Sequence, residues 1–160
     1  MHGVGVFIVL ASAASVSVTY QDPWQVPTQV DFQQGTATFY ALGVMEKVAR
    51  YRGFIDREYQ YPVWLKAKGY EGAVAGNSAG DLGRKVWILG PKGLEGPFLV
   101  IDCAQQGHYG ERVRLGHIVE VDYQTALRWD MLGGPMPVRV YWVDPTETVA
   151  DALIGTYVAE

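Results

Sequence analysis

From Gly72 onward the chain is a series of short apolar runs, each stopped by residues that turn the backbone, and this rhythm restricts the fold more than any other feature. Residues 73–75 and 85–89 read as strands, the second ended by the breaker-rich turn Gly90-Pro91-Lys92-Gly93. Residues 97–103 (PFLVIDC) are nearly all apolar, which predicts a strand buried on both faces. Residues 118–122 predict a strand that runs into a helix over 123–131, with Ala126, Leu127 and Trp129 as core candidates and Gly133-Gly134 as its stop. Residues 137–143 form the last clear strand. Upstream, residues 36–41 alternate small and aromatic side chains, a strand pattern. Many short strands with little helix between them favour a barrel. Closure leaves no unpaired edge, and a small barrel is filled by its own side chains.

The remaining segments are less regular. Residues 4–11 (VGVFIVLA) precede a run of small residues, so residues 1–19 are expected to be either a cleaved export signal or a buried first strand. The apolar run is too short for a stable membrane span. Residues 20–34, rich in Pro and Gln, read as a lead-in, and residues 35–145 as the barrel. Val44, Met45, Val48 and Ala49 recur at helical spacing, predicting a short helix closed near Gly53. Residues 54–67 read as an inserted loop able to carry a short strand, and 146–160 as a tail with an amphipathic helical pattern.

At 160 residues the chain can bury a sizeable core without a metal or disulfide staple. With 49% hydrophobic and 19% charged residues it is globular rather than disordered. The net charge is -4 and no basic run is present, which argues against a nucleic-acid partner. The single cysteine, Cys103, cannot pair within the chain. Its apolar neighbours suggest a small buried residue rather than a reactive thiol. The three histidines show no zinc-site spacing, and no cofactor motif is present.

Several pieces, in order, resemble the double-psi β-barrels of the barwin, expansin and rare-lipoprotein-A group. Thr36-Ala37-Thr38-Phe39-Tyr40 resembles the first strand of these proteins. Asp81-Leu82-Gly83-Arg84-Lys85-Val86-Trp87-Ile88 resembles their Leu-Pro-Phe-Gly-x-x-Val-x-Val strand, and Val100-Ile101-Asp102-Cys103-Ala104 the strand ending in Asn-Asp-x-Gly. Val119 to Ala126 resembles Ile-Asp-Leu-Ser-x-x-Ala, where the Asp caps a short helix, and Val138-Arg139-Val140 the closing strand. The segment 44–68 is an insertion relative to the group. The implied fold is a mostly β, six-stranded double-psi β-barrel with one or two short helices. The implied work is on cell-wall glycans, bound along an open groove.

Asp102 and Asp122 are the candidate catalytic residues. Asp122 stands between strand and helix, so it can be an N-cap or, with a raised pKa, a general acid. Asp102 ends a buried strand and must be paired, hydrogen-bonded or at a barrel mouth. The two strands that end near them are expected to lie side by side and to share one opening. Tyr40, Tyr109, His108 and Trp64 are the candidate sugar-contacting residues, with His108 and Tyr109 placed in a loop. Trp87 and Trp129 are assigned to the core. The aspartate that hydrolase relatives carry in the first strand is replaced here by Ala41-Leu42-Gly43, and the histidine expected before the second motif by Asn77-Ser78. The expected function is therefore a secreted, periplasmic or extracellular barrel that binds polysaccharide or peptidoglycan, expansin-like, with weak or absent catalysis. A lytic transglycosylase or glycosidase using Asp102 or Asp122 is the alternative, and a self-assembling structural protein the second.

Overall fold

The computed structural model describes residues 32–104 and 106–146, the side chains of 106–108 excepted. Residues 1–19, most of the lead-in and the tail beyond 146 lie outside the described residues. Six strands close into a barrel: β1 (Phe32–Phe39), β2 (Gly72–Gly76), β3 (Lys85–Gly90), β4 (Gly93–Cys103), β5 (His117–Val121) and β6 (Met136–Tyr141). The helices are α1 (Val44–Tyr51), α2 (Tyr61–Ala67), α3 (Gln106–Arg114) and α4 (Tyr123–Arg128), with a 3-10 turn at Ala79–Asp81. No described helix is long and apolar enough to cross a membrane.

Around the barrel the strands follow the order β1-β5-β2-β4-β3-β6. Two pairs are parallel, β1 with β5 and β2 with β4; the other four are antiparallel. Exchanging β1 with β4, β2 with β5 and β3 with β6 leaves every neighbour and every orientation unchanged. Both parallel pairs also carry a register shift, at Thr36/Ala37 and at Val74/Ala75. The chain passes from β1 to β2 across β5, and from β4 to β5 across β2. The two crossovers interlock, which is the double-psi arrangement. The fold class read from the sequence therefore holds, with four short α-helices where one or two were expected.

Two cores explain the apolar run in β4. Phe98 and Val100 point into the barrel with Val74, Val86, Ile88, Val119, Val121 and Trp129. Leu99 and Ile101 point outward, where they meet Met45, Ala49, Ile55, Tyr61 and Leu65 of the first crossover. The segment 44–68 is thus a helical cover over the outer face of β2 and β4. It turns a half-wet strand into one buried on both sides, and that burial favours the fold by roughly 25 cal/mol per Å² of apolar area.

Local differences from the sequence reading have physical causes. Residues 61–67, read as part of a loop, form α2, which starts with Pro62 in its first turn and buries Tyr61 and Leu65 one turn apart. Two turns are too short to show a period. Residues 108–111, also read as loop, lie in α3, whose glycines and charges hide a helix that tertiary contacts hold. β1 starts at Phe32, inside the stretch read as lead-in, because it pairs with β6 from Phe32↔Tyr141 onward. α4 stops at Arg128, before the expected end, and Asp130 adopts a left-handed φ of 57°. Trp129 is core, as expected, but Leu127 is exposed. Trp87 is only half-buried and covers Gly96, where a Cβ would come within 2.8 Å of its ring. Cys103 is half-buried rather than buried.

Candidate functional site

The main polar cleft opens where β4 ends. Ala75 of β2 is the register point: Asp102 of β4 stands opposite it on one side and Glu120 of β5 on the other. Tyr40 follows β1 and is tied down by its N–H, which donates to the Val121 carbonyl at 3.0 Å. The crossovers then lean over this floor, Arg52 standing at the C-cap of α1 and Arg112 on α3. Together with His117 these residues line a cleft of about 570 Å³.

Asp102 is held from two directions. The Tyr40 hydroxyl donates to Oδ2 at 2.7 Å. Arg52 donates to Oδ1 through Nε at 2.9 Å and through Nη2 as well. The same Nη2 lies 3.8 Å from Cys103 Sγ. The acid forms a partly buried ion pair, with side-chain exposures of 30% for Arg52 and 13% for Asp102. Hydrogen bonding to Asp102 is the main reason that the Arg52 pKa is raised further. Burial pushes the Tyr40 hydroxyl far above its ordinary value; the bond to Asp102 and the charges of Glu120 and Asp102 add to this, while Arg112 opposes it. Tyr40 is therefore a firm proton donor in a hydrogen bond, not a ready base.

Glu120 has its own arginine. Arg112 Nη1 donates to Glu120 Oε2 at 2.8 Å, so two arginine–carboxylate pairs flank Tyr40. The Nε and Nη2 of Arg112 are buried and have no partner among the described residues.

Asp122 lies elsewhere. It is 3% exposed, and both oxygens accept backbone N–H groups: Oδ1 from Thr125 at 2.8 Å, capping α4, and Oδ2 from Ala73 at 2.8 Å. Gly72 permits this approach, since a Cβ there would come within 2.9 Å of Oδ2. A separate, smaller cleft of about 330 Å³ borders it, with Tyr61, Lys66 and Arg128 in its walls. The Tyr61 hydroxyl is buried near Asp122 without a well-formed hydrogen bond; burial first, then the Asp122 charge, drives its pKa up.

The expectation that the two aspartates share an opening fails on topology. β4 and β5 are not neighbours, because β2 lies between them. β2 runs with β4 and against β5, so the end of β4 reaches Ala75 and Gly76 while Asp122 reaches back to Ala73. Of the candidate sugar-contacting residues, Tyr40 lines the main cleft. Trp64 packs on the outer core under α1 and α2. Tyr109 is exposed on α3, in a helix rather than the expected loop. The side chain of His108 lies outside the described residues.

Arg52, Arg112, His117 and Glu120 were not found by sequence reasoning. Glu120 did carry a signal: it is the one charged residue in an otherwise apolar Ile118-Val119-Glu120-Val121 run. The arginines carried none, since a basic residue near a helix end reads as solvated surface. Among the described residues no group of three metal-ligating side chains comes together. Compared with models of known protein families and with curated protein sequences, the chain matches none.

Proposed function

We propose that this protein binds a cell-wall glycan in the cleft between α1 and α3 and holds it without cleaving it, outside the cytoplasm. The observation that carries this reading is the pair of arginine–carboxylate contacts around Tyr40 at one open end of the barrel. Sugars offer many hydroxyls that both donate and accept. Planar charged groups fixed by one another, beside an aromatic ring, match that chemistry without reorganisation. The likeness of the strand motifs to the barwin, expansin and rare-lipoprotein-A group points the same way. Against cleavage stands the state of the two aspartates. Both oxygens of each already accept hydrogen bonds, Asp102 from Tyr40 and Arg52 and Asp122 from two backbone N–H groups, so neither carboxyl is free to turn toward a glycosidic oxygen.

The second reading, a lytic transglycosylase or glycosidase, gains from one fact: Asp102 stands in the cleft beside Tyr40. Co-sedimentation with insoluble peptidoglycan and with cellulose, followed by chromatography of the supernatant, separates the two. The expected result is binding with no released sugar. Release that disappears in Asp102→Asn would make the protein an enzyme, and failure to sediment with either glycan would end the binding reading.

A further inference from the structure

α1, α2 and α3 have their main strand contacts on β4, β2 and β5, rather than on the three adjacent strands β3, β6 and β1. In β3 and β6, Val86, Ile88, Val138 and Val140 fill the barrel, so their alternate neighbours point outward. The register sets those outward residues in two rows. Trp87, Tyr141 and Phe32 stand side by side in one, Leu89, Arg139 and Gln34 in the next, and Lys85 flanks them on β3. The Trp87 ring lies down over Gly96. The Phe32 and Tyr141 rings are 5.7 Å apart, and the Arg139 guanidinium rests 5.2 Å from the centre of the Phe32 ring. Arg139 and Lys85 are exposed, and neither pairs with a carboxylate among the described residues. The two rows hold no acid, although the whole chain carries a net charge of -4. We infer that this outer face is a second glycan-contacting surface, which takes acidic polysaccharide by stacking its sugars on Trp87 and Tyr141 and pairing a carboxylate with Arg139.

The inference rests on the glycan reading above for the class of partner, but not for the place. β1 begins at Phe32, and the chain reaches Tyr40 and the cleft only after its eight residues, roughly 25 Å of strand. Trp87 and Tyr141 are half-buried, so each ring is fixed by the sheet and still shows surface to solvent. Neighbouring strands lie about 4.8 Å apart, close to the length of one sugar unit, so a chain crossing them meets the two aromatics in turn. Arg139 stands two positions from Tyr141 on the same strand, and the Phe32 ring holds its guanidinium there. A planar cation fixed in this way loses little freedom when it grips a carboxylate. Rings and cations also suit nucleic acid, but two unpaired cations on a chain of net charge -4 give a phosphate backbone little to hold.

The test is calorimetric titration of the full chain with trigalacturonate and with its neutral methyl ester. The acid is expected to bind about fivefold more tightly than the ester, and Arg139→Gln to shrink that ratio to about twofold or less. Tyr141→Ala is expected to weaken both forms, about fivefold. Arg139 is exposed, so its variant keeps the test alive even if Tyr141→Ala folds poorly. Equal affinity for acid and ester overturns the acidic surface while leaving glycan binding in the cleft intact. A preference that is lost in Asp102→Asn but survives Arg139→Gln places the carboxylate in the cleft and overturns the surface. Oligothymidylate that binds where trigalacturonate does not gives the face to nucleic acid and overturns it too. No binding of acid or ester overturns both readings.

Discussion

Each of the two buried aspartates has a tyrosine near it, yet the two are built for different ends. Asp122 is held by backbone: its oxygens take the N–H of Ala73 on one element and of Thr125 on another, and it is shut from solvent. Asp102 is held by side chains that arrive from distant parts of the chain, Tyr40 just past β1 and Arg52 from the C-cap of α1. The other half of the barrel repeats the backbone device in a weaker form, where Ser78 Oγ caps the 3-10 turn after β2 by accepting from Gly80 N at 3.1 Å. A cap after the second strand of each half is thus part of the architecture. The Asp102 network has no such twin: Ala104 and Tyr40 stand in matching places, bonded to Gly76 and Val121. Where a pseudo-symmetric fold departs from its own symmetry, a local reason beyond folding is the natural explanation.

The largest effect should come from the backbone-held acid. Asp122→Ala would strand two buried N–H groups and remove the α4 cap, costing about 2–4 kcal/mol of folding stability. Denaturant melts would show this as a lower midpoint at unchanged slope. Asp102→Asn should cost less, roughly 1–2 kcal/mol, because Arg52 is partly exposed and water can take over some of its bonding. If the two substitutions prove equally damaging, the division between an architectural and a cleft aspartate is lost. If Asp102→Asn folds well and loses glycan binding, the division sharpens into structure against function.

The sequence made the barrel legible because its signals are local: alternation in β1, an unbroken apolar run in β4, glycine and proline at the turns. The strand-to-helix step at Asp122 was legible too, since a cap needs only its own neighbours. The cleft was not. Asp102 acquires meaning from Arg52, fifty positions earlier, and Glu120 from Arg112 on a helix that reads as loop. Such pairs depend on how two crossovers interlock, and hydrophobic period carries no record of that. The shared opening assigned to Asp102 and Asp122 failed for the same reason. Two strands can both look buried, yet which third strand separates them is a matter of topology.

The smallest effect tests the tyrosines. At neutral pH Tyr40→Phe removes the bond to Asp102 and should cost about 1 kcal/mol. Tyr61→Phe deletes a buried hydroxyl that has no well-formed partner, and should be neutral or slightly stabilising. In alkali the two should behave alike. Both hydroxyls have folded pKa values raised above the ordinary 10.0, chiefly by burial. Each keeps its proton in the fold after the unfolded chain has begun to lose it. Its contribution is complete below pH 10.0 and declines as pH rises beyond that, by at most about 1.4 kcal/mol per pH unit for each tyrosine. Urea melts from pH 8 upward should show either phenylalanine variant falling less steeply than the parent above pH 10. A Tyr61→Phe protein destabilised at pH 7 as much as Tyr40→Phe would mean that the Tyr61 hydroxyl is bonded to Asp122 after all. The two aspartate sites would then differ in position but not in kind.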